Sequence, residues 1–129
     1  MDKKVSTYKD LIVWQKSIAL VTCVYSLTKQ FPADEKFGIV SQINRAVVSV
    51  SANIAEGWGR ESSKNYIQFL RISRGSLMEV ETLMLISKNI NYISEQDYLE
   101  VNKQIDEVGK ILQGLIKSIE QKILLTKAA

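Results

Sequence analysis

"SEQDYLEVNKQIDEVGKILQGLIKSIEQK" runs from Ser94 to Lys122, and its rhythm decides the fold. Tyr98, Val101, Ile105, Val108, Leu112, Leu115 and Ile119 recur at alternating intervals of three and four residues. That spacing lays them along one stripe of an α-helix, the seam of a helix packed lengthwise against others. Ile111 and Ile116 broaden the stripe, which suits a helix touching two neighbours. Ser94 is placed to cap the helix and Asp97 falls three residues on, close to a capping box. The stretch predicts a helix over about 95–124 with a fraying tail after Leu125.

Moving toward the N-terminus, Tyr66, Leu70, Ser73, Leu77, Val80, Met84 and Ser87 alternate spacings of four and three. They predict a helix over 63–89, capped by Ser62 or Ser63. Gly75 and Ser76 in its middle suggest close approach by a neighbouring backbone. Before it, Ile43, Val47, Val50 and Ile54 mark a helix over 34–56, with Asp34 and Glu35 near its positive end. Gly57 fits a left-handed residue just past its C-terminus. A first helix over 10–28 has Asp10 as its N-cap and Leu11, Trp14, Ile18, Val21 and Tyr25 as its apolar face. Pro32 separates it from the second helix, because proline disfavours helical geometry at Phe31. Four long helices with short connections predict an all-α, antiparallel up-down-up-down four-helix bundle, formed by residues 1–129 as one domain.

Composition removes several kinds of chemistry. There is no histidine and one cysteine, Cys23, so neither a zinc site nor Cys–His catalysis is expected, and no internal disulfide can form. Cys23 in "IALVTCVY" reads as a small buried apolar side chain in a reduced protein. Glu79 and Glu81 cannot share a helix face, and bundle di-metal sites need Glu-x-x-His, so no metal is expected. "GWG" at 57–59 lacks the lysine of a phosphate loop and the preceding strand of a dinucleotide site. No cofactor and no enzymatic activity are expected. "MDKKVSTYKD" is charged and leads into a patterned helix, and no run reaches the ~20 apolar residues of a membrane span. The chain is expected to be cytoplasmic, with no membrane partner.

Two constellations remain. Gln42, Arg45, Ser49, Asn53 and Glu56 fall on one face of the second helix, beside its apolar stripe. This strip of short polar side chains suits a lightly charged solvent face, an interhelical hydrogen-bond network, or a ligand site. Arg60, Lys64, Arg71 and Arg74 gather around the start of the third helix. With Trp58 and Tyr66 nearby for stacking, they suit phosphates of a nucleic-acid backbone. An ordinary solvated basic face fits them as well. The net charge of +3 is unevenly spread: residues 36–78 carry six cations against two acids, 79–107 two against seven, and 108–129 four against one. Such asymmetry suits an anionic partner or head-to-tail self-association.

"FPADEKFGIVSQINRAVVSVSANIAEGWGR" (Phe31–Arg60) and "FLRISRGSLMEVET" (Phe69–Thr82) carry a family resemblance. They match F-P-x-x-E, S-Q-x-x-R, S-x-x-x-N-I-A-E-G, G-R and F-L-x-x-A-x-G-S-x-x-E, with Ser73 in place of the alanine. The chain resembles the four-helix bundle proteins encoded in bacterial 23S rRNA intervening sequences, from Tyr8 to the fourth helix. The resemblance implies a shared structural or binding core of Gln42, Arg45, Ser49, Asn53, Glu56, Gly57, Arg60, Gly75, Ser76 and Glu79. It also implies self-association, since similar proteins form homopentameric rings, and no catalysis. The accessory protein of diversity-generating retroelements, in the same broad group, is basic and binds a reverse transcriptase and nucleic acid. The expectation is a homo-oligomeric bundle, a pentamer by this resemblance, that presents basic residues to RNA or another nucleic acid. The alternative is a scaffold for a partner protein with no nucleic-acid role.

Overall fold

A computed structural model of the chain describes residues 4–128. Met1–Lys3 of the charged opening segment and Ala129 of the tail lie outside the described residues. A single 3-10 turn (Tyr8–Asp10) leads into α1 (Ile12–Thr28), and another (Ala33–Glu35) precedes α2 (Ile39–Trp58). α3 (Ser63–Asn89) and α4 (Glu95–Ala128) follow. Among the described residues, helix backbones approach one another between α1 and α2, α2 and α3, α3 and α4, and α4 and α1, and the two 3-10 turns pack against α1 and α2. Side-chain pairs fix the directions: Ser17 meets Ser51 while Thr28 meets Asn44, and Lys16 meets Glu107. The fold is the all-α, antiparallel four-helix bundle that the sequence predicts.

The seams of α2, α3 and α4 behave as read. Ile43, Val47, Val50 and Ile54 are fully buried, as are Leu70, Val80 and Met84 on α3 and Val101, Val108 and Leu112 on α4. Each such side chain contributes roughly 1.5–3 kcal/mol of transfer free energy. Ile116 lies deeper than Leu115, which is only half-buried. Serine hydroxyls inside the core all have partners. Ser17 donates to the Trp14 carbonyl and meets Ser51, Ser73 donates to the Val50 carbonyl, and Ser87 donates to the Leu83 carbonyl. These small side chains let α1 and α3 approach the α2 backbone closely.

α1 differs from its predicted face. The buried stripe is Val13, Ser17, Leu20, Val24 and Leu27, whereas Ile18 and Tyr25 are 39% and 40% exposed. Lys16 is the only charged residue of α1, so two interleaved apolar stripes compete and polar contrast does not choose between them. Asp10 is not the N-cap of α1. It is the third residue of a capping box with Thr7, and its carboxylate accepts from the backbone N–H groups of Ser6 and Thr7. α2 begins five residues later than predicted, at Ile39. Asp34 and Glu35 sit in the short turn before it, where Glu35 accepts the Tyr92 hydroxyl at 2.8 Å. That bond holds the Tyr92 phenol above its usual pKa.

The glycine readings also change. Gly57 is helical and buried, and α2 continues to Trp58 with Gly59 as its cap at φ −77°. No described glycine has a positive φ. A Cβ on Gly57 would lie 2.8 Å from Phe69 Cβ, so Gly57 is where α3 crosses the end of α2. Gly75, read as a point of close approach, has nothing within 4 Å of a built Cβ.

The helix ends are capped by means the sequence marks in part. Ser62 accepts from the Asn65 N–H, and Ser94 from the Asp97 N–H. α3 ends with Asn91 in the left-handed region at φ 65°. The Tyr92 N–H then reaches the Ser87 carbonyl and the Asn91 N–H the Lys88 carbonyl, a Schellman termination. α4 stays helical to Ala128, beyond its expected end at 124.

Candidate functional site

The polar strip of α2 faces α3 at the surface of the bundle. Gln42, Arg45 and Ser49 of α2 and Ser76 and Glu79 of α3 line one shallow cavity of about 380 Å³. Residues far apart in the chain thus converge because α2 and α3 run antiparallel. The Ser49 and Ser76 hydroxyls are 2.8 Å apart. The Asn53 amide donates to both the carbonyl and the hydroxyl of Ser49. This core of the strip is an interhelical network, one of the roles it suited. Its charged members are different. Arg45, Glu56 and Glu79 are exposed, and none forms an ion pair or side-chain hydrogen bond with a described residue.

The four basic residues do not form one patch. Arg60 places its guanidinium 4.5 Å from the centre of the Phe69 ring, on the α2 side of α3. Lys64, Arg71 and Arg74 lie on the α4 side. Lys64 and Arg71 line a cavity of about 400 Å³ between α3 and α4, floored by Ile67, Ile123 and Leu124 and closed on one side by Glu120. Glu120 accepts from Arg71 at 2.8 Å, and both side chains are nearly half exposed. Arg74 is half-buried, donates to Gln113 and lines a separate α3–α4 cavity that also holds Glu81 and Asp106. Trp58 and Tyr66 meet edge-to-face with centroids 6.3 Å apart, so each ring is engaged by the other. Burial raises the Tyr66 pKa above its usual value.

Topology gathers the uneven charge at two poles. The start of α3 lies beside the end of α4, bringing Arg60, Lys64, Arg71, Lys117 and Lys122 to one end of the bundle, where they outnumber Glu56, Glu61 and Glu120. The other end collects Asp34, Glu35, Glu95, Asp97 and Glu100, which outnumber Lys29, Lys36 and Lys88. Cys23 lies toward that acidic end, half-buried rather than fully covered. Burial raises its thiol pKa most; Gln104 lowers it by a hydrogen bond, and Glu100 and Asp97 raise it further. Among the described residues no cluster of His, Cys, Asp or Glu could hold a metal ion. No helix is long and apolar enough to cross a membrane.

Fold and surface together define a class: an all-α bundle whose sequence signature converges on the α2–α3 strip and its junction. The chain belongs to the 23S rRNA-intervening sequence protein family, whose model matches residues 9–114. Among solved structures it is similar to a protein of unknown function of the S23 ribosomal protein family from Bacteroides thetaiotaomicron. The two share 28% sequence identity with a TM-score of 0.77, over 82% of this chain and 99% of the other. No protein of curated function matches the sequence.

Proposed function

We propose that the protein is a non-enzymatic, cytoplasmic bundle that self-associates and presents its α3–α4 groove to the phosphate backbone of RNA or another nucleic acid. One observation supports this reading: Lys64 and Arg71 line a cavity at the N-terminal end of α3, and Arg74 lines a second cavity farther along the same α4-facing side. A helix N-terminus adds positive potential to those cations. At +3 per chain the affinity has to come from several copies acting together. Binding of this kind reads backbone charge and falls steeply with salt. The test is a salt titration of RNA and DNA binding by the assembled protein. Binding near ~50 mM salt that is lost as salt rises supports the reading. Absence of binding at that low salt refutes it.

A second reading is a scaffold for a partner protein, without nucleic acid. Two contacts favour it: Glu120 already neutralises Arg71, and Arg60 is drawn away over Phe69. Under this reading, Lys64→Glu and Arg74→Glu leave nucleic-acid retention at its background level. Under the first they abolish it.

A further inference from the structure

Lys64, Ile67, Gln68 and Arg71 follow one another at intervals of three, one and three, so they share one face of α3. Glu120, Ile123 and Leu124 share a face of α4 in the same way. Because the two helices run antiparallel, these faces meet and leave the cavity of about 400 Å³ at the N-terminal end of α3. Its two parts differ in chemistry. The floor is aliphatic: Ile67 is buried, Ile123 half-buried and Leu124 65% exposed. The rim is charged, with Lys64 and Arg71 against one carboxylate, Glu120. Arg71 is taken by Glu120 at 2.8 Å, whereas Lys64 forms no ion pair with a described residue. One positive charge is therefore left over beside an uncovered apolar surface.

Few ligands use the whole of such a site. Phosphates of a nucleic-acid backbone engage the rim and leave the floor wet. A wholly apolar chain covers the floor but takes water from Lys64 without supplying an anion, which is costly. The complement is a molecule with one anionic head and an aliphatic tail. The contact between Arg71 and Glu120 shows that this rim accommodates a carboxylate. A volume near 400 Å³ lies toward the small end of ligand sites, which suits a single short chain. We infer that this cavity binds a medium-chain monocarboxylate, a fatty-acid anion free in solution, with its head on Lys64 and its tail on Ile67, Ile123 and Leu124. The inference stands apart from nucleic-acid binding, although both draw on Lys64.

Isothermal titration calorimetry on the full chain tests it, with decanoate kept below its micelle-forming concentration and circular dichroism to establish that each variant is folded. Decanoate binds, decanol binds about tenfold more weakly or worse, and acetate does not bind measurably. Shortening the tail to octanoate and hexanoate weakens binding by about two- to fourfold per methylene. Lys64→Glu abolishes binding. Leu124→Glu, at a mostly exposed position that the fold does not depend on, weakens it by about tenfold or more. Glu120→Gln removes a competing anion and tightens it by about two- to fivefold. Decanol or acetate binding as tightly as decanoate overturns the two-part site. Unchanged binding in both Lys64→Glu and Leu124→Glu places the ligand elsewhere and overturns it, as does a failure of decanoate to bind at all. Association with phosphatidylglycerol vesicles without binding of free decanoate assigns the groove to a bilayer and likewise overturns it. If decanoate binds as expected and RNA does not bind at low salt, the nucleic-acid reading falls alone and this one stands.

Discussion

Changing Gly57 to alanine and Gly75 to alanine adds the same methyl group to two helices, and the structure predicts opposite signs. At Gly57 the new Cβ lies 2.8 Å from Phe69 Cβ, 3.0 Å from Tyr66 Cδ1 and 3.3 Å from the Tyr66 carbonyl oxygen. Two of these atoms belong to or adjoin the α3 backbone, so relief requires α3 to move. Overpacking of this kind costs about 1–3 kcal/mol. Alanine recovers at most about 1 kcal/mol of helix propensity, and less here because α2 ends one residue later. The expected net loss is about 1–2 kcal/mol, a fall in melting temperature of roughly 4–7 °C for a chain of this size. At Gly75 there is no clash, and alanine gains about 1 kcal/mol, a rise of roughly 3–4 °C. Urea unfolding followed by circular dichroism measures both. It should be run at two protein concentrations, because association adds its own stability. An unchanged m-value assigns the shift to the native state. A Gly57→Ala protein as stable as wild type would refute the close crossing of α2 and α3 at this point.

Other residues give smaller tests. Ser51→Ala removes one hydroxyl from a buried pair but leaves Ser17 bonded to the Trp14 carbonyl, so urea unfolding should show a loss of about 1 kcal/mol rather than the cost of an orphaned group. Glu120→Gln frees Arg71 at a stability cost below about 1 kcal/mol, because the pair is close to half exposed. If the groove binds nucleic acid, that variant binds more tightly and its salt dependence steepens by about one unit of slope. The raised pKa of Cys23 leaves less thiolate in the folded chain, so alkylation at mildly alkaline pH is slower in the native protein than in urea. The sign for stability follows. This contribution is full below the pKa of the unfolded thiol and is lost as pH rises through the raised folded value. Equal alkylation rates in the two states would contradict the burial of the thiol.

The bundle was legible because three of its helices show strong contrast between apolar and polar faces. α4 alternates its seam with Lys103, Asp106, Glu107 and Lys110, so the sequence admits one register. α1 offers no such contrast, and Ser17 lies at its centre because a small hydroxyl side chain packs tightly against Ser51. On α3 strong apolar neighbours carried Ser73 and Ser87 into the stripe, but on α1 nothing marked Ser17 as core. The polar strip was legible from spacing on α2, but its completion by Ser76 and Glu79 required the crossing of two helices. Spacing placed Lys64, Arg71 and Arg74 on one side of α3, and that side faces α4, where Arg74 lines a different cavity from the other two. It could not show that Arg60, beyond the turn, would fold back over Phe69, nor that Glu120 would meet Arg71 from a helix 49 residues away. Gly57 and Gly75 were misread for one reason. A glycine's meaning depends on which atoms approach it, and these belong to other parts of the molecule.

The gathering of opposite charge at the two ends of the bundle has a consequence for motion before contact. A body polarised along its length experiences a torque near any polyanion, and at low ionic strength this acts over tens of ångströms. The protein would rotate so that the Lys64–Lys122 pole leads, and collisions by the Asp34–Glu100 pole would be turned aside. Orientation would thus be selected during diffusion, ahead of any specific recognition, and raising the salt would erase it.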